Sequence, residues 1–256
     1  MTNTQRDLLS WGLFLAIPFT VVIWVGVQVH LARRDVLISS AQIPLNQLYL
    51  ALGNYHHEYG TFPPAYVVDE NGRPMHSWRA LILPYFENLK DVYKQYDFSE
   101  PWDGPNNSKL ANRMPETFRS CTEPESKSFT NVVVLTGPGT AFPGSHAIRL
   151  EDFKDGAKNT ILLVEIKDSK IPWLAPIDLP ADEAVKAWGD PNQVGISCVS
   201  WRRPLVVFAD RMAAFALGKG LPPESLRALT TIAGNEPVTQ SSLLEAKLIR
   251  KGRWIE

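Results

Sequence analysis

The stretch LLSWGLFLAIPFTVVIWVGVQVHLA, residues 8–32, decides how this chain is organised. It contains no Asp, Glu, Lys or Arg, whereas Arg6-Asp7 precede it and Arg33-Arg34-Asp35 follow it. About 20 apolar residues in a helix are enough to cross the hydrocarbon core of a bilayer. We therefore predict an N-terminal transmembrane anchor over residues 1–34, with Leu8 to Ala32 in contact with the lipid bilayer, and a body over residues 35–256.

The apolar stretch is interpreted as an uncleaved anchor rather than as a secretory signal. The apolar region of a signal is about 7–15 residues long and is followed by small residues at the cleavage site. Here the region is longer and ends in VHLARR at residues 29–34, without such a site. When Lys and Arg alone are counted, the flanks favour a cytoplasmic body by a single charge, since Arg33 and Arg34 follow the stretch and only Arg6 precedes it.

Composition restricts the partners of the body. The formal net charge is -1, so the chain carries no electrostatic footprint for nucleic acid, and we predict none as a partner. The two cysteines, Cys121 and Cys198, lie too far apart for a zinc ribbon. Outside the cytoplasm they can form a disulfide that closes a loop of roughly 80 residues, on the order of 4 kcal/mol in the chain-entropy model. The alternative is two unpaired thiols.

Beyond the anchor, the pattern predicts one long helix followed by strands. Apolar residues three to four apart continue to Tyr59, Pro44 is expected to kink or break this helix, and Gly60 is expected to end it. Residues 205–208 and 212–217 flank a turn and predict a hairpin. Further strands are expected at 130–137 and 159–166, and further helices at 78–86, 222–229 and 241–249. Helix first and strands later is the order of an α+β fold with an antiparallel sheet.

Short strings in a fixed order carry a family resemblance. They are LALGNYH (50–56) with YGTFPP (59–64), SWRALILPY (77–85), YDFSEPWD (96–103), GPGTAF (137–142), NTILLVE (159–165), FAD (208–210) and LRAL (226–229). In this order they resemble the bacterial family called domain of unknown function 1559, which is similar to type IV pilins and type II secretion pseudopilins. The resemblance covers residues 40–238, nearly the whole body.

The resemblance implies a pilin-like fold: a long N-terminal helix whose first half is membrane-spanning and whose second half packs on an antiparallel sheet with long loops. It also implies a cytoplasmic N-terminus and an extracytoplasmic body, which replaces the orientation drawn from the flanking charges. The chain departs from the family's pattern at its start, since no Gly and no early acidic residue open the apolar stretch. The family's Cys after the anchor corresponds to Ala41, and its usual Asp-Gly turn is Asp210-Arg211 here. We therefore expect a divergent, permanently anchored member of the family, and the sequence leaves open whether it enters a filament.

No motif of catalysis is visible, and we assign no catalytic residue and no cofactor. His56-His57 lack metal-ligand spacing, and GPGTAFPG at 137–144 lacks the Lys of a phosphate loop. Asp97, Glu100 and Asp103 recur every three residues in a turn-rich loop and form the candidate cation site, because hard cations take several loop oxygens. The alternative is that these carboxylates cap turns within the loop.

Three functions remain open on the sequence alone. The leading hypothesis is a non-enzymatic, single-pass membrane protein with an interaction or structural domain at the cell envelope, whose protein partners are unnamed. The second is a membrane-tethered hydrolase that uses the acidic loops, with Asp155 and Glu165 added to the acids above. The third is a cation-stabilised binding module. The aromatic residues fill a core or form a ligand surface; they are Trp78, Phe86, Tyr96, Phe98, Trp102, Trp173 and Trp201.

Overall fold

A computed structural model describes most of the backbone of the chain. The described residues are 3–119, 127–190, 192–198, 203–210 and 213–252, and the side chains within 3–19 and 33–41 are excluded. The chain divides into two compact units, Met1–Ser39 and Ser40–Glu256.

Short helices and short strands alternate along the described residues after one N-terminal helix. The α-helices are α1 (Asn3–Tyr59), α2 (Trp78–Leu81), α3 (Lys90–Gln95), α4 (Ala181–Lys186), α5 (Pro223–Ala228) and α6 (Gln240–Glu245). The strands are β1 (Tyr66–Val68), β2 (Pro74–Ser77), β3 (Phe129–Thr130), β4 (Val132–Val133), β5 (Leu135–Thr136), β6 (Ile161–Glu165), β7 (Ile171–Pro172), β8 (Leu179–Pro180), β9 (Leu205–Phe208), β10 (Ala214–Leu217) and β11 (Ile249–Lys251). Turns of 3-10 helix cover Leu83–Tyr85, Glu87–Leu89, Asn107–Leu110, Glu116–Phe118, Leu150–Asp152 and Ala157–Asn159.

The main sheet of the body has five antiparallel strands in the order β11-β10-β9-β6-β4 among the described residues. The pairs β1-β2 and β3-β7 are also antiparallel, whereas β5 and β8 run parallel. The predicted hairpin is confirmed, because Ala214 pairs with Val207 and Phe215 pairs with Val206.

Both faces of the main sheet are buried. Along β9, Leu205 and Val207 join one core while Val206 and Phe208 join the other, as the period-2 alternation of a strand requires. Small side chains of β10, Ala214 and Ala216, lie on the first face and belong to the same core as Leu48 and Leu52 of α1. Helices α4, α5 and α6 supply the second core, through the buried residues Ala181, Ala184, Val185, Leu226 and Leu243.

The predicted pilin-like fold, with a helix that crosses a membrane in its first half, is wrong, because no helix within the described part of the chain is long and apolar enough to cross a membrane. The described side chains ahead of the body cover residues 20–32, which is about 20 Å of helix against a hydrocarbon core of about 30 Å. The portion of the predicted span at residues 8–19 lies outside the described side chains.

Other local expectations also need correction. Helix α1 continues through Pro44, where a kink or break was expected. The predicted strand at 130–137 is divided into β3, β4 and β5, each pairing with a different partner strand. The last predicted helix, 241–249, ends at Glu245, and its final residue Ile249 opens β11, because it completes the edge of the main sheet.

Candidate functional site

A run of exposed apolar side chains is the most unusual surface of the N-terminal unit. Every residue from 20 to 32 is exposed, and none of these residues is charged. Eight of them are large and apolar, with exposed fractions between 41% and 67%; they are Val21, Val22, Ile23, Trp24, Val25, Val27, Val29 and Leu31. Exposed large apolar patches mark contact with a protein or a membrane.

The acidic loop uses its carboxylates to hold its own backbone. The Asp97 carboxylate accepts hydrogen bonds from the backbone N–H and the hydroxyl of Ser99, at 2.8 and 2.6 Å, and these bonds lower the pKa of Asp97. The Glu100 carboxylate accepts from the backbone N–H groups of Asn106 and Asn107, at 2.7 and 2.6 Å. These two carboxylates therefore act as the turn-capping groups of the alternative interpretation.

The buried side chain of Asn107 stabilises the same loop by hydrogen bonds to its backbone. It is fully buried; its amide nitrogen donates to the carbonyls of Asp97 and Pro101 at 2.8 and 3.0 Å, and its oxygen accepts from the Asp97 N–H at 2.8 Å. Asp103 is exposed, and the described residues contain no group of three His, Cys, Asp or Glu side chains that could hold a metal. The structure thus does not bring the three predicted acids together as ligands.

The remaining acids of the hydrolase hypothesis serve separate parts of the fold. Asp155 accepts from the backbone N–H groups of Gly234 and Asn235, at 2.6 and 2.8 Å. Glu165 is buried in the main sheet and accepts from the Leu205 N–H at 2.8 Å. Each carboxylate joins its own element to a distant segment, so the observed geometry gives them a structural role.

Histidine appears in a buried cluster that the sequence patterns did not indicate. His76 lies in β2, with Nδ1 2.9 Å from the Tyr96 hydroxyl and Nε2 3.2 Å from the Phe98 carbonyl. Since only a protonated Nε2 can donate to a carbonyl, the geometry assigns the proton to Nε2 and lets Nδ1 accept from Tyr96. Burial lowers the pKa of His76. His56 packs instead on the Phe62 ring, with centroids 5.0 Å apart, and His57 is exposed.

The predicted aromatic set divides between core and surface. Buried members fill the first core, while Trp102 is half-buried, Phe98 is exposed and Trp201 lies outside the described residues. The buried ones are Trp78, Phe86, Tyr96 and Trp173. They do not assemble into one ligand surface.

A buried ion pair in the core joins two residues that are far apart in the sequence. Arg79, in the SWRALILPY string, places Nη2 2.5 Å from Oδ1 of Asp178, and both side chains are at most 1% exposed. Asp178 also accepts from the Trp78 indole N–H at 3.2 Å and from the Val134 N–H at 3.0 Å. Burial raises the pKa of Asp178 and lowers that of Arg79, while their mutual attraction opposes both shifts. This pair ties α2 to the residues that directly precede β5 and β8, and it is the second feature that sequence reasoning missed.

A third missed feature is a cavity of ≈ 320 Å³ in the body, close to the end of α4. Its wall is predominantly apolar and includes one thiol and several polar groups. The lining includes Trp188, Gln193, Cys198, Arg203, Leu217 and Lys219. No local sequence motif predicts this cavity, because its lining residues come from three separate segments of the chain.

The predicted disulfide cannot be placed, because Cys121 lies outside the described residues. Cys198 is half-buried in the segment that follows the bridge between Ile166 and Ile196. The pairing of Cys121 with Cys198 stays a prediction.

The architecture defines an α+β domain of short elements around a sheet that is buried on both faces. The family described as "Protein of unknown function (DUF1559)" matches residues 39–143, which run from the body's part of α1 through β5 and contain both Arg79 and the acidic loop. This match confirms the family resemblance drawn from the sequence, over a narrower region than the predicted 40–238. Neither a curated protein nor a solved structure matches the chain.

Proposed function

We propose that this chain is a non-enzymatic protein of the cell envelope, held at a lipid bilayer by the uncharged stretch Leu8–Ala32, with its body outside the cytoplasm. The observation that carries the proposal is the exposure of every residue from 20 to 32. Water is a poor solvent for such a surface. The transfer of each large apolar side chain from water to an apolar environment is favourable by a free energy on the order of 1 kcal/mol or more.

The distribution of these side chains favours lipid over a protein partner. A helix that binds one partner buries a single stripe, with apolar residues spaced three and four apart. Here consecutive positions from Val21 to Val25 are all apolar and all more than 45% exposed, so apolar groups face every direction around the helix. A bilayer covers a helix on all sides, whereas a single partner helix covers one.

The proposal of a non-enzymatic body is supported by what its acids do. Asp97, Glu100, Asp155 and Glu165 each accept hydrogen bonds from backbone N–H groups and stabilise loops or strand ends. Hydrogen bonds of this kind give each of these carboxylates a structural role in its loop or strand.

A pair of matched substitutions tests the bilayer contact. Ile23→Lys and Ile177→Lys introduce the same charge at isoleucines that are each 52% exposed, one in the apolar stretch and one in the body. A Lys in the interior of an apolar membrane segment costs about 2.5–3.5 kcal/mol. We expect Ile23→Lys to shift the full chain from the carbonate-resistant membrane fraction toward the supernatant, and Ile177→Lys to behave like the unmodified chain.

Equal fractionation of the two variants would contradict the proposed contact. The proposed orientation has its own test, which is trypsin treatment of intact spheroplasts. Cleavage of the body without lysis is the expected result, and a body protected until the cells are lysed would reverse the orientation.

A further inference from the structure

Five aromatic side chains form a ridge on the surface of the body. This aromatic ridge consists of Tyr55 and Tyr59 of α1, Tyr85, Tyr93 of α3 and Phe98 of the acidic loop. The ring centroid of Tyr55 lies 4.5 Å from that of Tyr59 and 6.3 Å from that of Tyr85, and the centroids of Tyr93 and Phe98 lie 5.9 Å apart. Tyr59, Tyr93 and Phe98 are exposed. Exposed aromatic rings are typical of surfaces that bind another molecule.

The two parts of the aromatic ridge are neighbours beside Glu58. The Glu58 carboxylate accepts a hydrogen bond from the Tyr85 hydroxyl at 2.8 Å. Hydrogen bonding to Glu58 and the charge of that carboxylate raise the pKa of Tyr59, and the nearby phenol of Tyr93 adds a smaller rise. The ridge therefore continues from the end of α1 to α3 as one surface.

The Phe98 end of the ridge is held in place from beneath. The centroid of the Phe98 ring lies 4.8 Å from that of Tyr96 and 5.1 Å from that of His76, and both of these side chains are buried. The Phe98 carbonyl also accepts from Nε2 of His76 at 3.2 Å. A surface that is fixed in this way loses little conformational freedom when a ligand binds to it.

Phe98 also borders a groove of ≈ 490 Å³, a volume within the range of about 300–1,000 Å³ that is common for ligand sites. We call it the lysine groove, because Lys94 and Lys109 line it together with Phe98. Lys94 directly follows Tyr93 in the last turn of α3, and Nζ of Lys109 donates to the side-chain oxygen of Asn106 at 3.2 Å. An ammonium group carries three donors, so this one contact does not use them all. Ridge and groove both lie within residues 55–110, which the structure describes without a gap.

The charges of the lysine groove favour an anion. Its lining contains two ammonium groups, those of Lys94 and Lys109, and one carboxylate, that of Asp97. The Asp97 carboxylate already accepts two hydrogen bonds from Ser99, at 2.8 and 2.6 Å. The lining therefore has a net positive charge, directly beside the exposed rings of the ridge.

We propose that the aromatic ridge and the lysine groove bind an acidic glycan, a chain of pyranose rings that bear carboxylates. The apolar C–H faces of the sugar rings lie on Tyr93 and Phe98, and the carboxylates lie at Lys94 and Lys109. An acidic peptide fits less well, because Asp and Glu side chains have no flat apolar face for the rings. A nucleic acid fits less well, because the chain has a formal net charge of -1. The proposal does not depend on the bilayer contact of residues 20–32, so each can fail without the other.

Four probes test the proposal by calorimetric titration of the full chain at low salt, in micelles of a polyoxyethylene detergent that contains no sugar, with protein-free micelles as the blank. Hexagalacturonate carries rings and carboxylates, and its methyl ester keeps the rings without the charge. Hexaglutamate keeps the charge without the rings, and hexathymidylate represents single-stranded nucleic acid. We expect hexagalacturonate to bind about fivefold or more tightly than each of the other three, because only this probe uses both the rings and the lysines.

Matched lysine substitutions locate the carboxylates. Lys94→Glu replaces an attraction by a repulsion and is expected to weaken hexagalacturonate about fivefold. Lys186→Glu is the control, because Lys186 is also exposed and also lies in the last turn of a six-residue helix, α4, outside the groove. It should leave binding unchanged. If Lys94→Glu prevents folding, Lys109→Glu provides the same test at an exposed position of the other wall.

A ring substitution locates the sugar faces. Tyr93→Ala is expected to weaken hexagalacturonate about threefold or more, whereas Ile177→Ala, at an exposed apolar residue outside the ridge, should not. The proposal is overturned by no binding of hexagalacturonate at millimolar concentration, or by another probe that binds as tightly. It is equally overturned by unchanged binding in the folded lysine variant or in Tyr93→Ala.

Discussion

The buried pair Arg79–Asp178 gives the sharpest stability prediction. The substitution Asp178→Asn keeps a carbonyl oxygen for the Val134 N–H, which Asp178 now accepts at 3.0 Å, but it removes the charge opposite Arg79. The guanidinium is then a cation without its counterion in a site that is 0% exposed. Leaving one member of a buried ion pair uncompensated costs about 3–5 kcal/mol, which is a large part of the stability of an ordinary domain.

A second ion pair of almost the same length serves as the control. Arg227 Nη1 lies 2.6 Å from Oδ1 of Asp182, against 2.5 Å in the buried pair, but its side chains are 52% and 82% exposed. Water screens this pair, so Asp182→Asn is expected to cost about 1 kcal/mol or less. Since the distances match, any difference between the two variants reports burial.

The assay is urea unfolding of the full chain, followed by circular dichroism with equal slopes required of all variants. The double variant Arg79→Met with Asp178→Asn removes both charges, and we expect it to cost less than the sum of its single variants by about 2 kcal/mol or more. If Asp178→Asn costs no more than Asp182→Asn, or if the double variant is simply additive, the role assigned to the buried pair is refuted.

Three further predictions concern local features of the body. Burial lowers the pKa of His76, so the unfolded chain binds a proton at this imidazole more readily than the folded chain, and the free energy of unfolding should fall as the pH falls below about 6.5. In urea titrations across this pH range, His76→Asn should flatten the fall, whereas His146→Asn, at an exposed histidine, should not. Asn107→Ala leaves buried backbone groups of the loop without partners and should lower the free energy of unfolding by about 1–3 kcal/mol, against less than about 1 kcal/mol for Asn106→Ala at the exposed neighbour. Equal losses of stability in urea unfolding would contradict the role of Asn107. Gly60→Ala should cost about 1 kcal/mol by backbone strain alone, since φ is +74° and nothing lies within 4 Å of the added Cβ; a Tm unchanged from that of the original chain would contradict this.

Local features of the fold are predictable from the sequence. The hairpin of β9 and β10 follows from two apolar runs around a turn, and the end of α1 at Tyr59 follows from Gly60, whose N–H closes on the His56 carbonyl at 2.8 Å. Helix α5 begins at a proline, as expected from Pro222-Pro223. In each case the determining residues are neighbours in the chain.

Long-range partners are not predictable in this way. Arg79 and Asp178 are 99 residues apart, and no periodicity relates them. His76 meets Tyr96 across 20 residues, and the cavity collects Trp188, Arg203 and Lys219 from separate segments. Such pairings depend on which elements pack together, and a single sequence gives only the faces that each element offers.

The acidic loop shows how a correct pattern can suggest two chemistries. Carboxylates three residues apart suit a cation, and they equally suit the N–H groups of tight turns. The structure shows the second use at Asp97 and Glu100, because the amide of Asn107, buried at the centre of the loop, draws the backbone into reach. The sequence indicated the loop but could not indicate the buried amide that organises it.

The most direct test of the account is a nitroxide scan of residues 20–32 in lipid vesicles, using single cysteines in a full chain with Cys121 and Cys198 replaced by Ser. Collision rates with oxygen and with a water-soluble nickel complex are measured at each position. Oxygen access is expected to exceed nickel access at every position, because all thirteen residues of this range are exposed on an uncharged helix. Nickel access throughout, or protection from both reagents on one helical face, would contradict bilayer contact and indicate water or a protein partner instead.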